Sequence, residues 1–543
     1  MPHRQGCVMV RLSATDSGRP PVPVRNTDER LLSVTLDYAC LLGGPWWEGT
    51  RRTKHSFGDI PARPVDLRND ALRRYARMLS PAYLRLGGSE ADRVFYAFGD
   101  RAPGGDRSAA RAPGGDPGAA RAPGYRCELT ADRWDELCEF ADATGLELMV
   151  TLNAGAGPRG RDGSWDPENA RALVAHAVER AQPVSVWELG NEVNGFVFVH
   201  GPASRVSARQ YAADFAVFDA MIRELDPTGR TAGPASAYWP LLGETLPLMG
   251  RFVRHSRRAP DVITWHYYPQ QSSRGIFATR RADPFAILTP RRLDTAARWA
   301  RRVGGHARRL ARRAASGGEA GGVPEIWLGE TGHALYGGER GVSDRFVAGL
   351  WWMDQLGLMA RSGVRAVMRQ SIVGGDYGLL HPRSLEPRPD YWGSLLWKAL
   401  MGTDVYAVEV QRGPCRRSPC HPGRRHRGHP CRCHLCDRGR NLRVYAHGAR
   451  RRPGAISVLI INLDRRMPAP VMIDTDSFGF APQHLEVYMV EAPRPLSATL
   501  FINGIEPEVG PAPGAPPAKP VIRDPLEEVT VPPLSYCFAV VVP

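Results

Sequence analysis

Eight times between residues 33 and 370 a short apolar run reaches a polar tip, and longer amphipathic stretches lie between these runs. The runs are 33–37, 82–87, 146–153, 184–190, 231–236, 262–268, 325–330 and 364–370. Helical periodicity occupies 65–78, 131–144, 167–180, 208–225, 291–315, 343–362 and 391–400. Parallel strands cannot be joined by a tight turn, so strands that alternate with helices predict a parallel sheet. Eight units spread over about 370 residues predict a (β/α)8 TIM barrel, an α/β fold.

A barrel does not use up 543 residues. From residue 402 helical periodicity stops, and short alternating runs follow at 405–410, 442–447, 455–463, 485–490 and 536–542. This pattern predicts a C-terminal antiparallel β-sandwich over 402–543. The expected organisation is therefore an N-terminal segment, 1–30, lending one strand to the sandwich; a catalytic barrel, 31–401; and the sandwich. Two stretches interrupt it. A ten-residue repeat, RAPGGDRSAA then RAPGGDPGAA then RAPG, makes 100–124 a flexible Gly/Pro loop. A Cys/Arg-rich insert spans 412–440.

With 43% hydrophobic and 23% charged residues the chain can bury a large core. No apolar run reaches the ~18–20 residues of a membrane helix, so no transmembrane segment is expected. The N-terminus has basic residues but no apolar stretch of roughly 7–15 residues. No secretory signal is recognisable, and cytoplasmic residence is the default expectation.

The net charge of +15 invites a polyanion partner. Its distribution weakens that reading, because the insert alone holds nine arginines against one aspartate. The insert also holds five of the ten cysteines, Cys415, Cys420, Cys431, Cys433 and Cys436, at spacings that match no standard zinc finger. A disordered arginine-rich loop is the favoured reading over a zinc site. Cys40, Cys127, Cys138 and Cys537 stand among apolar neighbours, as buried thiols do. Arginines along 291–315 read as the solvated outer face of a helix. Arg251, Arg254, Arg257 and Arg258, just before the sixth strand, are a better candidate for a polyanion contact flanking a cleft. No motif specific for nucleic acid is present.

In a barrel, catalytic groups sit at the carboxyl ends of strands. The fourth strand ends in Glu188-Leu189-Gly190-Asn191-Glu192 and the seventh in Leu328-Gly329-Glu330. The sixth ends in Trp265-His266-Tyr267-Tyr268, the first in Asp37 and the eighth in Gln370. Two carboxylates at opposed strand ends suit glycoside hydrolysis, where one must donate a proton to the leaving oxygen and the other must be ionised. Asn191 beside Glu192 is an amide able to hold a sugar hydroxyl. This chemistry needs no cofactor and no metal. The competing reading is a non-catalytic polyanion-binding protein on a glycosidase scaffold.

At these residues the sequence resembles the heparanase-like β-glucuronidases of glycoside hydrolase family 79. The resemblance is carried by WELGNEVNGF (187–196), VITWHYYP (262–269), IWLGETGHALYGG (326–338) and VMRQSIVGGDYGLL (367–380), with LSPAYLRLGGSEAD (79–92) and LLSVTLD (31–37). It implies a retaining double displacement in which Glu192 is the acid/base and Glu330 the nucleophile. It implies a partner that is a glucuronic-acid-containing oligo- or polysaccharide, cut internally or terminally. Asp37, Ser89, Asn191, Gln370 and Tyr377 fall on substrate-contacting positions of the family. The tyrosine aimed at the nucleophile is Tyr267 or Tyr268, with Tyr268 favoured. Gly337 and Gly338 would present backbone N–H groups to the uronate carboxylate, helped by Gly375 and Tyr377. The short repeat stands where that family's heparanases carry a linker that is cut out, so a single-chain enzyme needing no proteolytic activation is expected.

Overall fold

The computed structural model describes residues 8–13, 21–46, 60–98, 124–244, 246–275, 278–316, 322–412 and 441–543. The expectations placed on the repeat loop, on proteolytic activation at it and on zinc in the Cys/Arg-rich insert lie outside the described residues.

Eight parallel strands close into a barrel: β1 (Leu32–Asp37), β2 (Ala82–Gly87), β3 (Leu146–Leu152), β4 (Val184–Leu189), β5 (Arg230–Tyr238), β6 (Val262–Tyr267), β7 (Glu325–Thr331) and β8 (Ala366–Arg369), each paired with the next and β8 with β1. Around them run α1 (Asp70–Arg77), α2 (Ala131–Thr144), α3 (Glu168–Glu179), α4 (Ala208–Leu225), α5 (Met249–His255), α6 (Pro290–Ser316), α7 (Phe346–Ser362) and α8 (Pro389–Leu400). Side-chain caps fix several helix starts. Asn69 accepts from the N–H groups of Ala71 and Leu72, which starts α1 five residues later than the apolar pattern suggests. Thr130 and Ser207 cap α2 and α4 in the same way. Of these eight helices the one missed in the sequence is α5, whose seven residues carry two arginines and a histidine and read instead as a charged patch.

Period-two alternation sorts the barrel interior into layers. Tyr83, Met149, Val186, Ala232, Val262, Trp327, Ala366 and Met368 form an apolar plug separate from the outer core. Two residues further along three of those strands stand Arg85, Thr151 and Glu188, all buried. The floor is therefore dry and the layer above it polar, as a site at the carboxyl ends of the strands requires.

The C-terminal region holds two sheets. The larger is antiparallel and includes Met401–Tyr406, Leu442–Ala449, Ile456–Asn462, Ser535–Val542 and His484–Glu491. The smaller contains Val408–Arg412, Val8–Leu12, Ala469–Ile473 and Val529–Val531. The run read as one strand over 405–410 thus breaks at Ala407 and feeds both sheets. The strand Val8–Leu12 runs antiparallel to Val408–Arg412 but parallel to Ala469–Ile473, so the smaller sheet is mixed. No hairpin joins these strands, so nothing imposes antiparallel pairing. Helix α7 is buried at every residue from Phe346 to Ala360. It lies between barrel and sandwich, where Arg443 of the larger sheet donates to Asp354 at 2.6 Å.

Arg257 and Arg258 follow α5 and precede β6, which places them at the amino-terminal face of the barrel, where Arg258 pairs with Asp219 at 3.3 Å. That is the face opposite the carboxyl ends of the strands, so the expectation that the cluster flanks the cleft is corrected for Arg257 and Arg258, while Arg251 and Arg254 lie on α5. Along α6, Arg298, Arg301, Arg302, Arg308, Arg309, Arg312 and Arg313 are exposed, as a solvated outer face predicts. Cys40 and Cys537 are buried, whereas Cys127 and Cys138 are only half-buried. Among the described residues no helix is long and apolar enough to cross a membrane.

Candidate active site

Glu192 and Glu330 face one another. A carboxylate oxygen of each, with one nitrogen of His266, falls within a 4.8 Å span. Each reaches this position by a local departure from regular strand. Glu192 has a left-handed backbone, φ 53 and ψ 46, just past the end of β4. On β7, strict alternation with the inward Trp327 would point Glu330 out of the barrel. The register between β6 and β7 slips there: Trp265 pairs with Leu328, and His266 pairs with Glu330, leaving Gly329 unmatched. This irregularity turns Glu330 inward, as strand bulges near active sites do. A Cβ at Gly329 would come 3.3 Å from His266 Nε2, so a larger residue would crowd the imidazole.

The two carboxylates differ in their surroundings. Glu330 receives two donors: Tyr268 Oη at 2.7 Å on Oε1 and Arg85 Nη1 at 3.1 Å on Oε2. Both stabilise negative charge on it. Glu192 shares a 3.0 Å hydrogen bond with His266 Nδ1. Burial pushes its carboxyl up to about 7, against a smaller opposing pull from Arg85. Burial also pushes His266 down to about 4, so this imidazole is neutral near pH 7. One carboxyl that keeps its proton near neutrality faces another held by two donors, an asymmetry that acid–base assignment requires.

Arg85 organises the layer beneath. It is wholly buried on β2, donating to Glu188 Oε2 at 2.9 Å, to Asn191 Oδ1 at 3.0 Å and to Glu330. Glu188 also accepts from Thr151 at 2.8 Å, and Arg85 helps hold its carboxyl below the usual range although burial opposes this. Asp92 fixes the turn that carries Glu192, accepting from the N–H groups of Asn191 and Ala154 at 2.9 Å each. Nothing in the sequence pattern singles out Glu188 or Asp92, and His266 stands there only as part of an aromatic strand end. A signal existed for Arg85: an arginine inside the apolar run Ala82–Gly87, two residues after the inward Tyr83.

The ambiguity between Tyr267 and Tyr268 resolves by alternation, since His266 and Tyr268 share the inward face. Tyr268→Phe is expected to lower kcat by about 10- to 100-fold, the loss of one donor to the Glu330 carboxylate, while Tyr267→Phe stays within about threefold. Steady-state kinetics of the two variants checks this, and a larger effect at Tyr267 would reverse the assignment.

Glu192, His266 and Glu330 are close enough to share a cation by distance alone. The donor set does not suit one, because the Arg85 guanidinium already occupies Glu330 Oε2 and would repel a metal ion.

The comparison with known proteins agrees with this geometry. Residues 22–357 match the N-terminal domain of glycosyl hydrolase family 79. The chain belongs to that family. It is a glycoside hydrolase, and its paired glutamates stand at the strand ends on which such chemistry depends. Heparanase-like protein 1 of Arabidopsis thaliana is 29% identical over 465 residues, covering 83% of this chain and 73% of the relative. Baicalin-beta-D-glucuronidase of Scutellaria baicalensis is 26% identical over 544 residues, covering 95% and 90%. A family 51 α-L-arabinofuranosidase from Bifidobacterium longum superposes with a TM-score of 0.62 at 13% identity, covering 99% of this chain and 100% of that structure, which shows the shared fold.

The remaining positions singled out by the resemblance cluster on the side of Glu330. Gln370 Nε2 donates to Asp37 Oδ2 at 2.6 Å and approaches Tyr377 Oη at 3.4 Å, and Gln370 also bonds Thr35. Burial, reinforced by the Glu330 charge, pushes the Asp37 carboxyl well up. A side chain at Gly88 would overlap Asp37 Oδ1. Ser89 follows, half-buried, at the start of a short 3-10 turn, Ser89–Arg93. Tyr377 stacks on Tyr268 with ring centroids 6.2 Å apart.

Gly337, Gly338 and Gly375 all have positive φ, at 77, 84 and 65. The expectation that Gly337 and Gly338 both offer N–H groups is corrected, because Gly338 N–H donates to Ala334 O at 3.1 Å. Gly338 is glycine for a packing reason as well: a Cβ would sit 2.7 Å from Tyr377 N. Gly337 N–H has no protein acceptor among the described residues.

Proposed function

We propose that the protein hydrolyses β-linked glucuronides with net retention, through a covalent intermediate on Glu330 and acid/base assistance from Glu192. The observation that carries this reading is the close approach of two unlike carboxylates, with oxygens within 4.8 Å. Retaining enzymes hold their carboxyl groups about 5–5.5 Å apart, whereas inverting enzymes leave room for a water between them, at about 6.5–9.5 Å. Glu330 attacks the anomeric carbon while Glu192 protonates the departing oxygen. Glu192 then takes a proton from water, which opens the glycosyl ester at the same carbon and restores the β configuration. The named glucuronidase relative supports the choice of glycone. So does the set of Gly337 N–H and Tyr377 at the end of the barrel that bears Glu330.

Two measurements on one substrate pair test it. An aryl β-D-glucuronide should be cleaved at least about 100-fold more efficiently than the matched β-D-glucoside, since only the former offers a carboxylate to the loop. Proton NMR should show β-glucuronate as the first product, ahead of mutarotation. Equal rates on the pair would remove the uronate assignment, and an initial α-anomer would remove the double displacement.

A further inference from the structure

Arg274 lies on the loop that follows β6, and its side chain is 12% exposed. Its guanidinium ties that loop to two others. Nη1 donates to Gly338 O at 2.7 Å and to Tyr336 O at 3.4 Å, both after β7, while Nη2 pairs with the Asp376 carboxylate after β8. Every carbonyl from Ala334 to Gly338 accepts a hydrogen bond. Ala334 O accepts from Gly338 N–H, Leu335 O from Ser272 N–H at 3.0 Å, and Gly337 O from Asp376 N–H at 2.6 Å. Arg274 holds the other two. Residues 336–338 are left-handed in succession, with φ of 67, 77 and 84, a run that includes a tyrosine and that needs outside ties to persist.

The C=O and N–H of one trans peptide point in opposite directions. Holding Tyr336 O toward Arg274 therefore turns Gly337 N–H away from it. The next two N–H groups are already used, Gly338 on Ala334 O and Glu339 on Ser343 Oγ at 2.9 Å. Gly337 N–H is thus the donor of this turn left without a protein acceptor among the described residues, as a backbone donor reserved for an anion must be.

We propose that Arg274 is a positioning residue for uronate selectivity, holding Gly337 N–H and the Tyr377 segment toward the substrate carboxylate while Asp376 neutralises its own charge. The arginine acts through the loop and does not itself bind the anion. Its forked donors suit this task, because one planar group reaches two carbonyls and a carboxylate at once. The inference rests on the glucuronide reading above.

The test compares full-length wild type, Arg274→Ala, Arg274→Lys and Asp376→Asn on matched aryl β-glucuronide and β-xyloside, the xyloside lacking any group at C5. Arg274→Ala should lower kcat/KM on the glucuronide about 30-fold, chiefly through KM, and leave the xyloside within about threefold. Arg274→Lys should lose less than the alanine variant, and Asp376→Asn should also lower the glucuronide-to-xyloside ratio. Equal losses on both substrates would reduce Arg274 to a structural role and overturn the proposal. So would a rise in glucuronide preference in Asp376→Asn, the signature of a released arginine binding the carboxylate directly. If Arg274→Ala folds poorly, the ratio in the other two variants decides by the same criteria. Wild type that prefers glucuronides together with variants that keep that preference overturns this proposal alone; wild type without the preference overturns the functional reading and this proposal with it.

Discussion

Glu330→Gln is expected to lower kcat on an aryl β-glucuronide by about 10⁴-fold or more, with KM little changed. The amide nearly matches the carboxylate in shape, and its carbonyl oxygen can still accept from Tyr268, so the pocket keeps its form. What is lost is the nucleophile, and no glycosyl ester can form. The partner groups make the loss specific. Tyr268 and Arg85 donate to Glu330 at 2.7 and 3.1 Å, and the amide keeps the first bond through its oxygen but loses the second, since its NH2 cannot accept from a guanidinium. A second variant separates the nucleophile from general damage. Glu330→Ala leaves space for a small anion, so added azide should restore turnover and give the α-glucuronosyl azide, attack having come from the face that Glu330 vacated. Product NMR and steady-state rates check both points. Glu330→Gln retaining more than about 1% of wild-type kcat, or azide yielding only the β-azide, would assign the nucleophile elsewhere.

The barrel was legible because its signals are local. Each strand is a short apolar run and each helix carries its own periodicity, so all eight strands appear within a few residues of their reading. The two glutamates were legible because strand ends mark a barrel's working face, and the family resemblance added their roles. The geometry that makes them a pair was not legible. It depends on the register slip at Gly329 and on the left-handed backbone of Glu192, and register is a property of two strands together. Arg85 was hidden for a similar reason. Its meaning comes from Glu188 and Glu330, 103 and 245 residues away in sequence. The arginines before β6 misled because charge along a sequence carries no side, and only the closed barrel shows that Arg257 and Arg258 stand at its opposite end. Gly338 shows the reverse case. The sequence suggests a glycine there for the close approach of an anion, whereas the close neighbour is the backbone of Tyr377, and the N–H is spent within the loop.

Glu192→Gln is expected to show a loss that depends on the leaving group, which is the mark of an acid/base and not of a nucleophile. On a glucuronide whose leaving oxygen belongs to a sugar or an alkyl alcohol, kcat/KM should fall by about 10³-fold, within the usual range for general acid catalysis. On an aryl glucuronide with a strongly acidic phenol, departure needs no proton and kcat/KM should fall less than about tenfold. The second step still lacks its base, so the intermediate accumulates and kcat falls with a burst of phenol. The pH profile follows from the same group. Burial raises the Glu192 carboxyl to about 7, so its proton is present below that pH and lost above it. Wild-type kcat/KM on an alkyl glucuronide should therefore decline tenfold per unit as pH rises past about 7, and the variant should lack this limb. His266 does not supply the limb, since it sits at about 4 and is neutral throughout that range. A loss equal for good and poor leaving groups, or an alkaline limb that survives in Glu192→Gln, would take the acid/base role away from this residue.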